Sequence, residues 1–193
     1  MHPVRWNKRR LVSISLAAIV FYLILSAKYN KYSAEVVIKN QNPENVWNFV
    51  ADFSKMKQLN PTIEEFRILK DHGNFNHWKY DVEYMERLSH WPHWKNVNIG
   101  HFSVYKEPVE KGGEFVIDSV HKTCFFAGLY CCKIYLLKSL GQFKISKIHM
   151  KDTLVVETVQ YQCPPFMGNF CQREVEFQRR AILDQLKFHF ESL

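Results

Sequence analysis

The sequence predicts an α+β domain in which a curved antiparallel sheet of about seven strands wraps around one long C-terminal helix. Two short helices follow the first strand, and an apolar helix precedes the domain. Three observations carry this reading. Ala34–Pro61 reads as strand, capped helix, break and second helix. From Ile63 onward the chain alternates apolar and polar residues between turn clusters. From Met167 to Phe190 it carries an apolar arc wider than a surface helix requires.

The elements follow in order. Leu11–Ala27 holds 17 residues without a charge, at the lower limit for a membrane span. It is expected to be a transmembrane anchor over residues 11–27, behind a basic flank over 1–10. Tyr22, Trp6, Tyr29 and Tyr32 suit a membrane interface. Arg5, Lys8, Arg9 and Arg10 precede the run, and Lys28 and Lys31 follow it. This bias keeps the N-terminus cytosolic and sends the domain across the bilayer. The expected location is therefore a single-pass membrane protein of the endoplasmic reticulum or another endomembrane, with a mitochondrial membrane as the alternative. A cleaved signal peptide is a further reading, but Leu25 fits poorly before a cut at Ala27.

Glu35–Lys39 is β-branched, as a strand should be. Asn42 can cap a helix whose first position is Pro43, and Glu44 suits its positive end. Val46, Trp47, Val50 and Phe53 recur at helical spacing. Asn60-Pro61 ends the second helix. Strands are expected at Ile63–Lys70, Asn76–Leu88, Trp94–Lys106, Glu114–Phe126, Tyr130–Lys138, Gln142–Met150 and Asp152–Gln160. On the last helix Val175, Ile182, Leu183, Leu186 and Phe190 form one stripe, and Phe170, Phe177, Ala181 and Phe188 a second.

The net charge of +7 is unevenly placed. Residues 1–34 hold six basic side chains and no acid; the remainder has 26 − 6 = 20 basic against 19 acidic residues. A nearly neutral domain is not built to bind nucleic acid, which needs a basic face. Six lysines without an acid between Ser119 and Lys151 are the local exception. They read as solvent-facing strand positions, or as a face for anionic headgroups. The five cysteines are an odd number; Cys163 and Cys171 could bridge in an oxidising compartment. No Cys-x-x-Cys pair supports a zinc site, and His90 and His93 lie in a Trp-Pro loop without further ligands. His121 near Asp118, His149 near Asp152, and His101 are candidate acid–base groups, but nothing marks a pair. The Trp91–Trp94 loop reads as a packed loop or as a rim that enters a bilayer interface.

Asn42-Pro43-Glu44 through Trp47, Ala51-Asp52-Phe53, Leu59-Asn60-Pro61, and Leu154–Glu157 followed by Pro164-Pro165 and a long helix resemble the START-like superfamily. This is the helix-grip, polyketide cyclase/coenzyme Q-binding-like group, and the resemblance spans residues 32–193. It implies a cavity between sheet and last helix for a lipid, sterol, quinone or other hydrophobic small molecule, with no cofactor and no metal. Trp78, Tyr80, Phe177 and Ala181 are the candidate lining residues under that resemblance. The expected role is membrane-tethered binding or short-range transfer. A cyclase-like enzyme and a ligand-free interaction domain are the alternatives.

Overall fold

The computed structural model describes residues 8–25, 28–74, 77–108, 113–124, 136–148, 151–164 and 167–192. The elements are α1 (Lys8–Leu25), β1 (Lys28–Ile38), α2 (Pro43–Ala51), α3 (Phe53–Leu59), β2 (Ile63–Asn74), β3 (His77–Arg87), β4 (Lys95–Lys106), β5 (Phe115–Cys124), β6 (Leu136–Ile148), β7 (Asp152–Cys163) and α4 (Gly168–Glu191). The strands form one seven-stranded sheet in the order β1-β7-β6-β5-β4-β3-β2. Every neighbouring pair is antiparallel.

The first helices form for the reasons read from sequence. The Asn42 side chain accepts the Glu44 backbone N–H at 3.1 Å, and Pro43 opens α2. Asp52 repeats the device for α3 by accepting from Ser54 N at 2.9 Å. Val46, Trp47, Val50 and Phe53 are all buried, and Trp47 Nε1 donates to the Val116 carbonyl of β5 at 3.2 Å. The two helices thereby close one end of the concave sheet. Beneath them lie Tyr80, Val82, Phe102, Val104, Ile117, Phe143, Ile145 and Val155, with Ile182, Leu183, Leu186 and Phe190 contributed by α4.

Several expectations change. The two strands expected around residues 130–150 are one element: β6 runs through Gly141 and pairs with β5 and β7 on either side. Gly141 lies inside this strand, where its missing side chain makes room for Ser119. Residues 130–135 of that expected strand, His149, Cys131 and Cys132 lie outside the described residues. β1 begins at Lys28 and pairs with β7 over its whole length, from Lys28↔Cys163 to Ile38↔Thr153.

The expected transmembrane anchor is also corrected. Among the described residues no helix is long and apolar enough to cross a membrane. Helix α1 opens with Lys8, Arg9 and Arg10, and Leu11–Leu25 spans only about 22 Å of rise against about 30 Å of hydrocarbon. Ser26 and Ala27 lie outside the described residues.

Cys163 at the end of β7 and Cys171 in the first turn of α4 are joined by a disulfide. Cys124 is disulfide-bonded as well.

Leu186 is completely buried where α4 meets the apolar half of the sheet. Leu186→Ala is expected to cost about 3 kcal/mol and lower Tm by roughly 10 °C, as measured by thermal denaturation.

Candidate functional site

The inward face of the sheet changes character along the strands. At the α2–α3 end the inward residues are large and apolar. At the other end the same alternation brings in Glu86 from β3, Asn96 and Asn98 from β4, Ser119, His121 and Thr123 from β5, Ser139 and Gly141 from β6, and Glu157 from β7. These side chains are small or polar, and of them Glu157 reaches α4, at Arg179. A cavity of about 170 Å³ remains between sheet and helix. Its apolar walls include Phe53, Met56, Phe102, Leu137, Phe143, Val159 and Ile182. The volume is below the roughly 300–1,000 Å³ of pockets for drug-sized ligands, so it suits a compact molecule or one segment of a longer one.

Two glycines shape this space by close approach. A Cβ on Gly100 would lie 2.7 Å from the Phe102 ring and 3.0 Å from His121 Nδ1; one on Gly141 would lie 2.6 Å from Ser119 Oγ. The His121 imidazole thus occupies a slot left open by the strands that flank β5. Its Nδ1 is 3.0 Å from the Tyr84 hydroxyl, and its Nε2 is 2.9 Å from Ser119 Oγ. Ser119 Oγ in turn donates to the Gly141 carbonyl at 3.3 Å. One tautomer satisfies this chain: Nε2–H donates to Ser119, and Nδ1 accepts from Tyr84. Burial first, then the positive charges of Arg179 and His101, push His121 down to about 3, so the ring is neutral at physiological pH. Burial also pushes the Tyr84 phenol up, which keeps it protonated.

The acids are held differently. Glu86 Oε1 accepts from Thr62 Oγ1 at 2.7 Å and from Asn60 Nδ2 at 3.4 Å, and Oε2 accepts from Asn98 Nδ2 at 3.4 Å. Burial pushes its carboxyl above the usual range, against the opposing effects of Thr62, Arg179 and Asn60. Glu157 is 1% exposed and accepts from Arg179 Nη1 of α4 at 2.6 Å. Burial raises its carboxyl while the guanidinium opposes that rise, and the short contact is that of an ion pair. Arg179 Nη2 donates to Gln178 at 3.3 Å. Glu157 Oε2 and Arg179 Nε are buried without a hydrogen-bond partner among the described residues. Glu174, further up α4, fastens the loop after β3: it accepts from Ser89 N at 2.7 Å and Ser89 Oγ at 2.8 Å. In the same loop Trp91 stacks on Phe170 with ring centroids 4.7 Å apart, and both Trp91 and Trp94 are exposed.

No family model and no curated protein matches this chain. Solved structures do. A START superfamily protein from Mycobacterium smegmatis superposes with a TM-score of 0.55 at 16% identity, over 84% of this chain and 97% of that one. The fold is the START-like helix-grip fold. The ZhuI aromatase/cyclase from Streptomyces sp. R1128 matches at 0.57 and 12% identity, over 85% of this chain and 94% of its own. A hypothetical protein from Helicobacter pylori matches at 0.57 and 12% identity, over 98% and 96%. In this chain the helix-grip cavity is occupied at one end by an acid–arginine pair.

None of the residues named from sequence as cavity candidates lines that cavity. Tyr80 is buried in the filled half, donates to the Ala51 carbonyl at 2.8 Å and stacks on Phe102. Trp78 donates to Asp71 and borders a separate, more open pocket of about 580 Å³ beside α2. Phe177 is 44% exposed on the outer side of α4, and Ala181 is half-buried. Of the described histidines, the cavity brings in His121 alone; His101 pairs with Asp81 at 2.7 Å. Sequence reading missed Glu86, Glu157, Glu174, Gln178 and Arg179. A signal was present: Asn96-x-Asn98-x-Gly100, Ser119-x-His121-x-Thr123 and Ser139-x-Gly141 place small or polar residues at period two on strand faces that otherwise point inward.

His121 is expected to stay neutral in nitrogen-detected NMR from pH 7 to 5. Its folded value of about 3 lies below the ordinary 6.5, so its contribution to stability is full above pH 6.5 and is lost as pH falls toward 3. Relative to His121→Asn, the protein is expected to lose about 2 kcal/mol of stability between pH 7 and 5, as measured by denaturant titration.

Proposed function

We propose that this domain binds a small hydrophobic molecule between the sheet and α4, and that α1 holds the domain at a membrane. The observation that carries the binding reading is the cavity itself. An interior that could have been filled by apolar side chains is lined instead by Phe, Leu and Met walls and a polar end. Protein interiors are close-packed, so a space retained this way has a use or a cost. A ligand-free interaction domain would have no reason to keep it.

The membrane reading rests on α1. Leu11, Ile14, Leu16, Ile19 and Phe21 are all exposed, and apolar residues surround the helix axis. A helix apolar all round is stable when covered, and acyl chains would cover it while Lys8, Arg9 and Arg10 meet anionic headgroups. The disulfide-bonded cysteines support placing the domain in an oxidising compartment.

A second reading, cyclase-like chemistry on a bound substrate, draws on His121 and Glu86, which both line the cavity. The aromatase/cyclase among the matched structures shares only the fold. The hydrogen bonds favour binding over catalysis. Both His121 nitrogens and both Glu86 oxygens already have protein partners, so neither group is free to move a substrate proton.

Native mass spectrometry of the full-length chain is expected to show a co-purified apolar molecule, or uptake from a panel of lipids, sterols and quinones. Ser139→Trp, which fills the cavity from β6, is expected to reduce that uptake at least tenfold. No uptake by the wild type overturns the binding reading. In flotation assays, the full-length chain is expected to rise with vesicles containing anionic lipid. The Ile14→Glu/Phe21→Glu pair is expected to remain at the bottom; equal flotation of both would sink the role given to α1.

A further inference from the structure

The outward face of the sheet, on the side away from α4, carries a patch that the cavity does not use. On β5 and β6 the residues that line the cavity alternate with ones that point the other way. Val120 and Lys122 on β5, and Leu136, Lys138 and Leu140 on β6, therefore face outward. Lys138 also borders the cavity rim. Lys122 and Lys138 stand directly opposite each other in the β5–β6 register, and Leu140 stands opposite Val120. The row of Leu140 continues through Gln160 of β7 to Lys31 of β1, with Tyr29 outward beside it. Four strands about 4.8 Å apart make the patch roughly 14 Å across. Tyr29, Val120, Leu136 and Leu140 are all exposed. Like charges directly opposite each other on a sheet repel. Yet Lys31, Lys122 and Lys138 have no carboxylate partner among the described residues, whereas Lys144 on the same face of β6 is matched by Glu114 at 3.2 Å. The first acids further along the two rows, Asp81 and Glu83 on β3, are already paired with His101 and Arg67.

We propose that this outward patch is a docking surface for an anionic bilayer: Lys31, Lys122 and Lys138 meet the headgroups, and the apolar side chains between them enter the interface. The assignment rests on the membrane role given to α1 above. Lys28 opens β1 three residues after Leu25 ends α1, so at most roughly 11 Å of chain separates them. A membrane-held α1 therefore keeps the Tyr29–Lys31 end of β1, and the strands paired with it, at the bilayer surface. Anionic headgroups supply the negative charge that relieves the repulsion between Lys122 and Lys138. Exposed leucine, valine and tyrosine side chains gain by burial at the acyl boundary, a gain that a nucleic-acid backbone does not offer. A second copy of the same face would set lysine against lysine. The dock gives the domain a second attachment beside α1 and fixes its orientation, with the outer side of the sheet on the lipid and α4 facing away.

The test measures binding of the full-length chain to vesicles of phosphatidylcholine alone and with about 30% phosphatidylserine. The wild type is expected to bind the anionic vesicles at least tenfold more tightly. Lys122→Glu/Lys138→Glu, which leaves the basic start of α1 intact, is expected to lose at least fivefold on the anionic vesicles and stay within twofold of wild type on the neutral ones. Lys57→Glu/Lys187→Glu makes the same change of net charge on α3 and α4, and is expected to stay within twofold on both. Should the patch variant lose its native circular dichroism, Lys122→Gln/Lys138→Gln replaces it, with a loss of at least threefold expected. A patch variant that binds anionic vesicles like the wild type, or a control that loses as much as the patch variant, overturns the dock. If the patch variant is unchanged while Ile14→Glu/Phe21→Glu weakens binding to both kinds of vesicle, the dock falls and the role of α1 stands. If the patch variant loses and the α1 pair does not, the dock stands and the role of α1 falls. A wild type that binds neither kind overturns both. Loss of binding to a DNA duplex in the patch variant, with vesicle binding unchanged, would give the face to nucleic acid and overturn the membrane assignment.

Discussion

A seven-stranded sheet that curls around a single helix has more concave surface than the helix can cover. That constraint organises the molecule. At one end α2 and α3 make up the deficit, and Trp47, Phe53, Phe102, Tyr80 and Ile182 fill the space. At the other end nothing comparable is inserted among the described residues. The inward strand positions become small or polar there, and the space stays open. The two halves of one sheet therefore serve different ends. The filled half supplies the apolar burial on which stability depends, and the open half supplies a lined cavity.

The open half carries a cost that its ion pair does not remove. Burying Glu157 and Arg179 loses hydration that their attraction only partly returns, and a well-packed apolar pair of similar volume is often as stable or more so. Glu157 Oε2 and Arg179 Nε add to that cost, because both are buried without a hydrogen-bond partner among the described residues. His121 is the contrasting case. Its ring is buried too, but Tyr84 and Ser119 satisfy both nitrogens and burial keeps it neutral. It acts as a wall, with Gly100 and Gly141 shaped around it.

The architecture was legible because its signals are local: an Asn cap before Pro43, period-two strands, and a proline stop after Asn60. The cavity was less so, because it depends on which residues fail to fill space, and that is a property of several strands at once. Trp78 and Tyr80 drew attention as large aromatics on one strand face, yet large residues close space rather than leave it. The α4 stripes misled in a related way. Phe177 and Phe188 look like core and are exposed, while Glu174, Gln178 and Arg179 look like surface and face the cavity. Charged residues on an inward helix face are invisible to an apolar periodicity count. Gly141 shows the same limit: as a lone glycine it suggests a turn, and only its neighbours Ser119 and His121 reveal the close approach that needs it.

The first turns of α4 show how the fold tolerates an end with only a small apolar cluster. The helix begins at Gly168 with no side-chain cap and no acid in its first turn, and beside Cys171 and Val175, which pack on Val159, Tyr161 and Cys163, its inward residues there are Glu174, Gln178 and Arg179. Propensity and burial both give little to this segment. Two other attachments replace them. The Cys163–Cys171 disulfide ties the start of the helix to the end of β7, closing a loop of only eight positions. Glu174 grips the backbone and hydroxyl of Ser89, fixing the loop after β3. Covalent and polar links of this kind hold geometry without filling volume, whereas apolar side chains can fasten a helix only by occupying the space beneath it. A cavity under the N-terminal half of α4 can therefore persist only if that half is held from its sides, and that is where the disulfide and the Glu174 contacts lie.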